Sequence, residues 1–507
     1  MEKRRIEILD TTLRDGEQTS GVAFAPQEKL IIARMLLCNL HVDRVELASA
    51  RVSEGEFTAV SQIAQWAKGA GMLRRLEVLG FIDGGLSIQW IKSAGCEVVN
   101  LLCKGSYKHV TEQLRKTPEQ HVADIIKEIE RAVACGMDVN LYLEDWSIGM
   151  KQSPDYLFFM IDQLRNYPVK RFMLPDTLGI LNPIDTAAYM TEMMKRYPDL
   201  HFDFHAHNDY DLAVANVFAA VSSGAKGIHT TLNGLGERAG NAPLSSVLAI
   251  LHDHLKVETS ICEDYLHKAS KVVETYSGVH IPQNKPVIGE NVFTQCAGVH
   301  ADGDQKNNLY CNDLLPERFG RTREYALGKT SGKANILKNL EALGIELDDA
   351  SMRKVTQRII EFGDKKEMVT PEDLPYIISD VLKQDIQDSK IKILNYSLSL
   401  AQGLKPIASL KIEIDGEAYE QAAAGDGQYD AFMKALRLIY QRLNRELPLL
   451  VNYTVSIPPG GHTDAFVQTV ISWRYKDKEF KTQGLDADQS EAAIKATLKM
   501  LHKIESL

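Results

Sequence analysis

Short apolar runs alternate with longer amphipathic stretches through the first half of the chain, and this alternation restricts the fold more than any other feature. Eight runs have the length of strands, and helix-length stretches follow them. Proline begins several of these stretches, as is usual in a first helical turn. The predicted strands are Ile6–Asp10, Arg44–Ala48, Leu76–Ile82, Val98–Cys103, Asp138–Glu144, Arg171–Pro175, His201–His207 and Gly227–Leu232. The clearest predicted helices are Pro26–Leu40, Pro118–Cys135, Pro183–Tyr197, Asp209–Ser223 and Pro243–Leu255.

Eight strand–helix units within about 255 residues match a (β/α)8 barrel, a fold of the α/β class. A doubly wound sheet is the alternative. That fold usually has fewer strands and carries a glycine-rich turn after the first one, which this sequence lacks. We therefore predict a catalytic TIM barrel over residues 1–258.

The rest of the chain divides into two further regions. Residues 259–388 have mostly helical patterns, interrupted by a polar, glycine-rich stretch from 278 to 333 that is more often functional than idle at such a length. Residues 389–507 contain alternating strands that lead into a helix at Gln428–Leu443, and the same pattern repeats up to a helix at Gln489–Ile504. This duplicated βββα unit predicts a C-terminal α+β domain with internal pseudo-symmetry.

Composition argues against several classes of protein. The formal charge of −10 repels phosphate backbones, so we expect no nucleic-acid partner. No apolar run reaches the roughly 18 residues that a membrane span needs, so we expect no membrane partner either. The seven cysteines are scattered and form no CxxC pair, which favours reduced thiols in a cytoplasmic enzyme over a disulfide framework or a cysteine-based zinc site.

The segment DFHAHND at 203–209 carries the strongest local signal of chemistry. Residues two apart in a strand point the same way, so His205 and His207 share a face. They lie at the C-terminal end of the seventh strand, where barrel active sites are found. Paired imidazoles at this place suit a metal ion. Two histidines that are hydrogen-bonded at a strand end are the alternative interpretation.

The segment DTTLRDGEQ at 10–18 follows the first strand and places Arg14 and Asp15 at the same end of the barrel. Only the eighth strand separates the first from the seventh in a closed ring. Asp15 can therefore join the two histidines in a ligand set with open positions, which suits zinc, manganese or another divalent ion. A solvated pair in a loop is the alternative for Arg14 and Asp15.

Two other strand ends carry candidate residues. The glycine-dense NGLGERAGN at 233–241 follows the eighth strand and can cradle an anion, while Asn241 can add an oxygen ligand to the metal; a tight turn is the alternative. At the end of the fifth strand, Tyr142 and Glu144 share a face and can both point into the barrel mouth. Glu144 is a candidate general base or the partner of one. The alternative role of a helix-capping acid fits Asp145 better.

DTTLRDGEQT, HAHND and NGLGERAGNA together resemble the family of isopropylmalate, homocitrate and citramalate synthases. The resemblance continues through AGVHADG, PERFGR, ALGKTSGKANI and GDGQYDA, so it covers essentially the whole chain in order. Isopropylmalate synthases typically have a His/Ser-rich loop after the fourth strand and a Phe-Ser pair in the fifth. Here Leu102-Cys103-Lys104 and Leu141-Tyr142 replace them, which is more similar to the citramalate-forming members.

This resemblance implies an acyltransferase that joins acetyl-CoA, as cosubstrate, to a small 2-keto acid. Pyruvate is the favoured acid, with (R)-citramalate as the product. A divalent ion (zinc, manganese or magnesium) would polarise the keto group. Arg14 would stabilise the enolate, and Thr177, after the sixth strand, would hold the substrate carboxylate. The implied metal ligands are Asp15, His205 and His207, with Asn241 nearby.

The resemblance also implies that the loop-rich region covers an active site, usually that of the partner subunit in a homodimer. His300 would form an acid–base relay with Glu144, although solvent exposure is the alternative for a lone loop histidine. The further catalytic candidates in this region are Asp302 and Tyr310. The candidates for contact with the phosphates of CoA are Lys104, Arg14 and Lys306.

The C-terminal domain, by the same resemblance, binds the amino acid that ends the pathway. Isoleucine is the expected inhibitor, because the citramalate route leads to isoleucine. A purely structural dimerisation domain is the alternative. The regulatory candidates, all in the turn before the first C-terminal helix, are Asp426, Tyr429 and Asp430.

Three side chains near the ends of neighbouring strands predict the choice of substrate. Leu79, Leu102 and Tyr142 would form an apolar, crowded wall that accommodates the methyl group of pyruvate and excludes the isopropyl group of 2-ketoisovalerate. Ordinary barrel core is the alternative for these residues.

Three other functions compete with this one. A 2-isopropylmalate synthase would use 2-ketoisovalerate in the same chemistry. A metal-dependent aldol lyase shares the barrel and the metal ligands but usually lacks the C-terminal βββα pair. A degenerate, non-enzymatic barrel would not need the intact set of Arg14, Asp15, Glu144, His205 and His207.

Overall fold

The structure is a computed structural model that describes residues 4–305, 309–364, 369, 371–382, 391–456, 467–476 and 478–505. It divides into two compact units. One comprises Met1–Thr294 and Cys311–Arg323, and the other comprises Gln295–Tyr310 and Glu324–Leu507. The domain boundary predicted at 388/389 and the candidate Lys306 lie outside the described residues.

The first unit contains a closed barrel of eight parallel strands in sequential order. The first strand pairs with both the second and the eighth, which closes the ring and confirms the predicted (β/α)8 fold. The strands are β1 (Glu7–Asp10), β2 (Arg44–Ser49), β3 (Leu76–Phe81), β4 (Val98–Lys104), β5 (Asp138–Glu144), β6 (Val169–Asp176), β7 (Phe202–Ala206) and β8 (Gly227–Thr230).

The helices of this unit begin at favourable residues. Thr117 forms a capping box with Gln120 at the start of one helix, and the side chain of Asn182 accepts two backbone N–H groups at the start of another. The helices are α1 (Pro26–Cys38), α2 (Glu54–Gly69), α3 (Leu86–Ser93), α4 (Pro118–Ala134), α5 (Trp146–Gln152), α6 (Pro154–Leu164), α7 (Pro183–Arg196), α8 (Ala213–Ser222), α9 (Leu244–Asp253) and α10 (Leu266–Ser277).

The second unit begins with short strands and helices and ends in the duplicated domain. Two three-stranded antiparallel sheets are each followed by one long helix, which confirms the predicted βββα repeat. The elements are β9 (Thr294–Gln295, at the junction of the two units), α11 (Gly298–Gln305), β10 (Glu324–Tyr325), α12 (Lys333–Leu343), α13 (Asp349–Asp364), α14 (Leu374–Leu382), β11 (Ile391–Ser399), β12 (Ile407–Ile414), β13 (Glu417–Ala424), α15 (Gln428–Arg442), β14 (Leu449–Ser456), β15 (Val467–Tyr475), β16 (Lys478–Asp486) and α16 (Gln489–Glu505).

The barrel has an apolar layer between its strands and helices and a separate small cluster in its interior. The outer layer is built mostly from Ile, Leu, Val and Ala side chains that are fully buried. The interior cluster contains Leu9, Leu79, Tyr142 and Met173, with Leu102 packed against it. Among the helices that the structure describes, none is both long enough and apolar enough to cross a lipid bilayer.

Candidate active site and metal centre

Asp15, His205 and His207 meet at the C-terminal end of the barrel. The turn after β1 is fixed by the carbonyl of Thr11, which accepts the N–H groups of Arg14, Asp15 and Gly16 at 2.9 to 3.2 Å. His205 lies in β7, and His207 directly follows that strand and forms an isolated bridge with Asn241. The turn and the strand end thus bring together one carboxylate and two imidazoles, as the period of two predicts.

The spacing of these groups suits a metal ion. Nε2 of His205 lies 3.3 Å from Oδ2 of Asp15 and 3.4 Å from Nε2 of His207, and Nε2 of His207 lies 3.9 Å from the same Oδ2. Ligand atoms bound tetrahedrally at about 2.0–2.2 Å from an ion would be roughly 3.4 Å apart. All three residues are buried, and of the His, Cys, Asp and Glu residues that the structure describes they form the cluster able to hold a metal.

The electrostatics of the cluster keep these groups ready to bind a cation. Burial alone would raise the pKa of Asp15, but the charge of Arg14 and a hydrogen bond from His205 hold it well below its usual value. Burial, aided by the neighbouring His205, lowers the pKa of His207 to about 4, and burial also lowers the pKa of His205. The carboxylate is therefore ionised and both imidazoles are neutral, as metal ligands must be.

Two further oxygen atoms at this place have no hydrogen-bond partner. Oδ1 of Asp15 and Oδ1 of Asn241 are both buried and unpaired among the described residues, while the amide nitrogen of Asn241 donates to the carbonyl of Leu235 at 3.1 Å. Leaving such a group unsatisfied costs about 1–3 kcal/mol. A cation bound at the cluster would satisfy Oδ1 of Asp15, and Asn241 is joined to His207 by a backbone bridge, so the residues present fit a divalent ion.

Arg14 lies beside the cluster and is held at each side of its guanidinium. Nε donates to Oε2 of Glu46 at 2.7 Å, Nη1 donates to Oδ2 of Asp15 at 3.0 Å, and Nη2 donates to the hydroxyl of Tyr142 at 3.3 Å. Only about 9% of the side chain is exposed. The arginine therefore presents a fixed positive charge beside Asp15 and the two histidines.

Glu46 is a residue that the sequence analysis missed. It is completely buried in β2, and besides Arg14 it accepts hydrogen bonds from Thr11 at 2.9 Å and from Asn100 at 2.9 Å. An acid in the middle of the apolar run RVELAS is the signal that could have revealed it, because buried charges are normally paired.

A second missed group runs through the barrel interior. Nη2 of Arg44 donates to Oδ2 of Asp203 at 2.6 Å, and the same oxygen lies 3.2 Å from Nε2 of His229. Nδ1 of His229 lies 2.7 Å from the hydroxyl of Tyr142. The ring of Tyr142 thus belongs to the apolar interior cluster, while its hydroxyl joins these polar contacts to Arg14.

Glu144 and Lys104 form an ion pair at the ends of β5 and β4. Glu144 also lines a cavity of about 480 Å³ whose other lining residues are Lys108, His109, Glu112 and Gln113. The neighbouring Asp145 stands at the N-cap of α5, but its side chain makes no capping hydrogen bond. The carboxylate of Glu144 therefore faces an open space and is already paired with a cation.

Thr177 follows β6 and links two strand ends. Its Oγ1 accepts the N–H of Asp145 at 2.9 Å, and its carbonyl accepts a hydrogen bond from Arg238 at 2.8 Å. An oxygen that accepts from a backbone N–H keeps its own hydrogen free to donate. The hydroxyl can therefore donate to a carboxylate.

The remaining candidates lie in the second unit. The rings of His300 and Tyr310 are 4.4 Å apart between centroids, and Asp302 lies on the same helix as His300, α11. In the C-terminal domain, Oδ2 of Asp430 accepts the N–H of Asp426 at 2.8 Å, and the hydroxyl of Tyr429 lies 2.7 Å from Oγ1 of Thr497. The residues of each set therefore lie close to one another: one set near α11 and the other at the start of α15.

Comparisons with known proteins assign the chain to a family. Residues 5–273 match the HMGL-like family model, residues 287–367 match the homocitrate synthase post-HMGL domain-like model, and residues 368–505 match the LeuA allosteric (dimerisation) domain. A solved HMG-CoA lyase from Brucella melitensis aligns with a TM-score of 0.48 at 18% identity, over 54% of this chain and 100% of that one.

Two relatives match over almost their full length. An (R)-citramalate synthase of Methanocaldococcus jannaschii is 32% identical over 98% of this chain and 99% of its own. A 2-isopropylmalate synthase of Nitratidesulfovibrio vulgaris is 30% identical over 99% of this chain and 97% of its own. The chain therefore belongs to the HMGL-like family of acyl-transferring enzymes, and within it to the (R)-citramalate and 2-isopropylmalate synthases.

Proposed function

We propose that the protein condenses acetyl-CoA with pyruvate and water to give (R)-citramalate and CoA. The observation that carries the choice of substrate is the wall formed by Leu79, Leu102 and Tyr142, which pack in one interior cluster. The hydroxyl of Tyr142 contacts Arg14, so this wall lies beside the metal cluster. A wall of close-packed side chains has room for the methyl group of pyruvate but would clash with the larger isopropyl group of 2-ketoisovalerate. The names of several similar proteins, including the Methanocaldococcus jannaschii relative, agree with this choice.

The proposed metal ligands are Asp15, His205 and His207, with Oδ1 of Asn241 as an additional donor. A bound divalent ion supplies Lewis-acid polarisation of the keto group. The mixed nitrogen and oxygen donors suit zinc, manganese or magnesium.

The chain's own residues supply the other steps. Glu144, in a relay with His300, would take a proton from the methyl group of acetyl-CoA, and Arg14 would stabilise the negative charge on the enolate oxygen. The methyl carbon then bonds to C2 of pyruvate, and the C2 oxygen gains a proton. Water hydrolyses the thioester, so that CoA leaves as the thiol. Thr177 would donate its hydroxyl hydrogen to the carboxylate of pyruvate.

We assign the second unit two roles in a homodimer. His300, Asp302 and Tyr310 would complete an active site, and the C-terminal domain would bind isoleucine as an inhibitor at Asp426, Tyr429 and Asp430. The match of residues 368–505 to a LeuA allosteric (dimerisation) domain supports the homodimer and the second role. Inhibition by isoleucine and not by leucine, measured on the full chain, tests the second role; an enzyme that is insensitive to isoleucine would leave only a dimerisation role. A cytoplasmic location stays a prediction.

One assay tests the proposed reaction. Free CoA release is followed with acetyl-CoA and a panel of pyruvate, 2-ketobutyrate and 2-ketoisovalerate, and the product is resolved by chiral chromatography. We expect pyruvate to have the highest kcat/KM and the product to be (R)-citramalate. Faster turnover of 2-ketoisovalerate would make the protein an isopropylmalate synthase. Cleavage of a hydroxy acid without acetyl-CoA would indicate a lyase.

A further inference from the structure

His229 is a buried histidine that the reaction above does not use. It lies in β8, and its side chain is completely buried. Nε2 lies 3.2 Å from Oδ2 of Asp203, and Nδ1 lies 2.7 Å from the hydroxyl of Tyr142. Both ring nitrogens are therefore within hydrogen-bond distance of buried polar groups.

The chemistry of these partners fixes the direction of each hydrogen bond. An ionised carboxylate can only accept, so Nε2 of His229 carries the hydrogen and donates it to Asp203. In a neutral imidazole Nδ1 is then the acceptor. The hydroxyl of Tyr142 must donate to it, and the lone pairs of that oxygen are left for Nη2 of Arg14, which lies 3.3 Å away.

Asp203 is itself held by other side chains, so the series of hydrogen bonds from Asp203 through His229 to Tyr142 begins at a fixed carboxylate. Oδ2 accepts from Nη2 of Arg44 at 2.6 Å, and Oδ1 lies 2.9 Å from Nε2 of His201. Gly227 leaves room for this carboxylate, because a Cβ at that position would be 2.1 Å from Oδ1. His229, which is fixed by Asp203, can therefore hold the hydroxyl of Tyr142 in one position.

We infer that His229 is a positioning residue for selection of the 2-keto acid: by holding the hydroxyl of Tyr142 it fixes the ring that closes the substrate pocket. This inference rests on the proposed function. With its hydrogen committed to His229, the tyrosine offers the substrate an aromatic wall and no donor. The pocket then selects a small, apolar side chain by shape, and a wall that is held at both ends excludes a larger group better than a ring that can shift.

Four variants of the full-length, metal-loaded enzyme test this role. His229→Asn and Tyr142→Phe break the same hydrogen bond from its two sides, and the double variant completes the cycle. His201→Asn is the matched control, because His201 contacts the same Asp203 and has no contact with Tyr142. The readout is the ratio of kcat/KM for pyruvate to that for 2-ketobutyrate, which is one carbon longer.

We expect each single variant to lower this ratio by roughly tenfold, the lower end of the range for one methylene group in a hydrophobic pocket. The double variant should lower it no further than Tyr142→Phe alone, and His201→Asn should leave it within about twofold, a margin set by the usual additivity error. If His229→Asn does not fold, His229→Gln takes its place, because Tyr142→Phe also loses the hydrogen bond from Arg14.

Unchanged ratios in both single variants would overturn the inference, and so would an equal loss in His201→Asn. Failure of the proposed function has a different signature, since the wild-type enzyme would then prefer another 2-keto acid. In that case the same ratio, taken between the preferred acid and its homologue one carbon longer, still tests the role of His229.

Discussion

Nε of Arg14 donates a hydrogen bond to Oε2 of Glu46 at 2.7 Å, and the glutamate is completely buried. The contact joins the turn after β1 to the middle of the neighbouring strand β2. It leaves the other two nitrogens of the guanidinium to Asp15 and Tyr142. An arginine held in this way needs little reorganisation when negative charge develops nearby, which is the usual origin of electrostatic catalysis.

Glu46→Gln should therefore lower kcat while it leaves the KM for the 2-keto acid nearly unchanged. A hydrogen bond to a charged group contributes about 1.5–3 kcal/mol, so we expect a loss of roughly 10- to 150-fold in kcat. Glu77→Gln is the matched control, because Glu77 is equally buried in β3 but pairs with Arg44. Steady-state kinetics check both variants. A kcat for Glu46→Gln within twofold of wild type would contradict the positioning of Arg14.

His207→Ala should abolish stoichiometric metal binding and most of the activity. The variant removes one of three ligand atoms that lie 3.3 to 3.9 Å apart. Metal content after dialysis, measured by inductively coupled plasma mass spectrometry, is a readout that does not depend on turnover. His41→Ala is the control, because His41 is exposed in the loop before β2 and its ring is hydrogen-bonded to the carbonyl of Cys38 at the end of α1. Full activity of a demonstrably metal-free wild-type sample would exclude the proposed metal role.

Glu144→Gln should lower kcat by roughly 10²- to 10⁴-fold, the usual range for a general acid–base group. Binding of pyruvate should survive, because Thr177 and the metal ligands are unchanged. The variant also removes the charge that pairs with Lys104, so Lys104→Met serves as the comparison. If loss of the ion pair alone explained the effect, both variants would lose activity equally, whereas a proton-transfer role predicts a much larger loss for Glu144→Gln.

His121 should make the barrel less stable below pH 6.5. Burial, followed by the charge of Lys116, lowers the pKa of His121 to about 4. The unfolded chain takes up this proton near pH 6.5, and the folded protein takes it up only near pH 4. Stability is therefore complete above pH 6.5 and is lost as the pH falls toward 4, by up to roughly 3 kcal/mol.

The unfolding transition of the barrel, followed by urea denaturation between pH 7 and pH 4.5, checks this prediction. His121→Gln should show a shallower pH dependence than wild type, although it also loses the hydrogen bond of His121 to Tyr156. His41→Gln, at an exposed position, should follow the wild-type curve. Parallel curves for wild type and His121→Gln would show that His121 does not contribute.

The sequence was sufficient to predict the barrel and the meeting of Asp15, His205 and His207, because these follow from periodicity and from closure of the ring. Alternation of strands and helices gave the eight units, and the spacing of His205 and His207 placed both rings on one face. Asp15 could be added because strands one and seven are near neighbours in any eight-stranded ring.

The polar contacts inside the barrel could not be predicted in the same way. Glu46 and His229 lie in strands that are buried on both faces, so a short apolar run does not tell which side chains point inward. Their partners, Arg14 and Tyr142, are 32 and 87 residues away in the chain. Only the closed register of the barrel decides that these groups meet.

Enlarging the substrate pocket should narrow the preference for pyruvate. Leu79 is about 5% exposed and packs with Tyr142, while Leu102 packs against the same cluster. Replacing either leucine by alanine removes three carbons from the wall, and the space gained is close to that of the two extra carbons in 2-ketoisovalerate. A hydrophobic pocket typically discriminates by about 1–3 kcal/mol for one methylene group, so we expect the kcat/KM ratio of pyruvate to 2-ketoisovalerate to fall by roughly 10- to 200-fold.

Leu86→Ala, at an exposed position in α3, is the matched control and should leave the ratio unchanged. The measurement is the same CoA-release assay at several concentrations of each acid. A ratio that stays constant in Leu79→Ala and Leu102→Ala would show that these leucines are ordinary barrel core and that the selection of the substrate lies elsewhere.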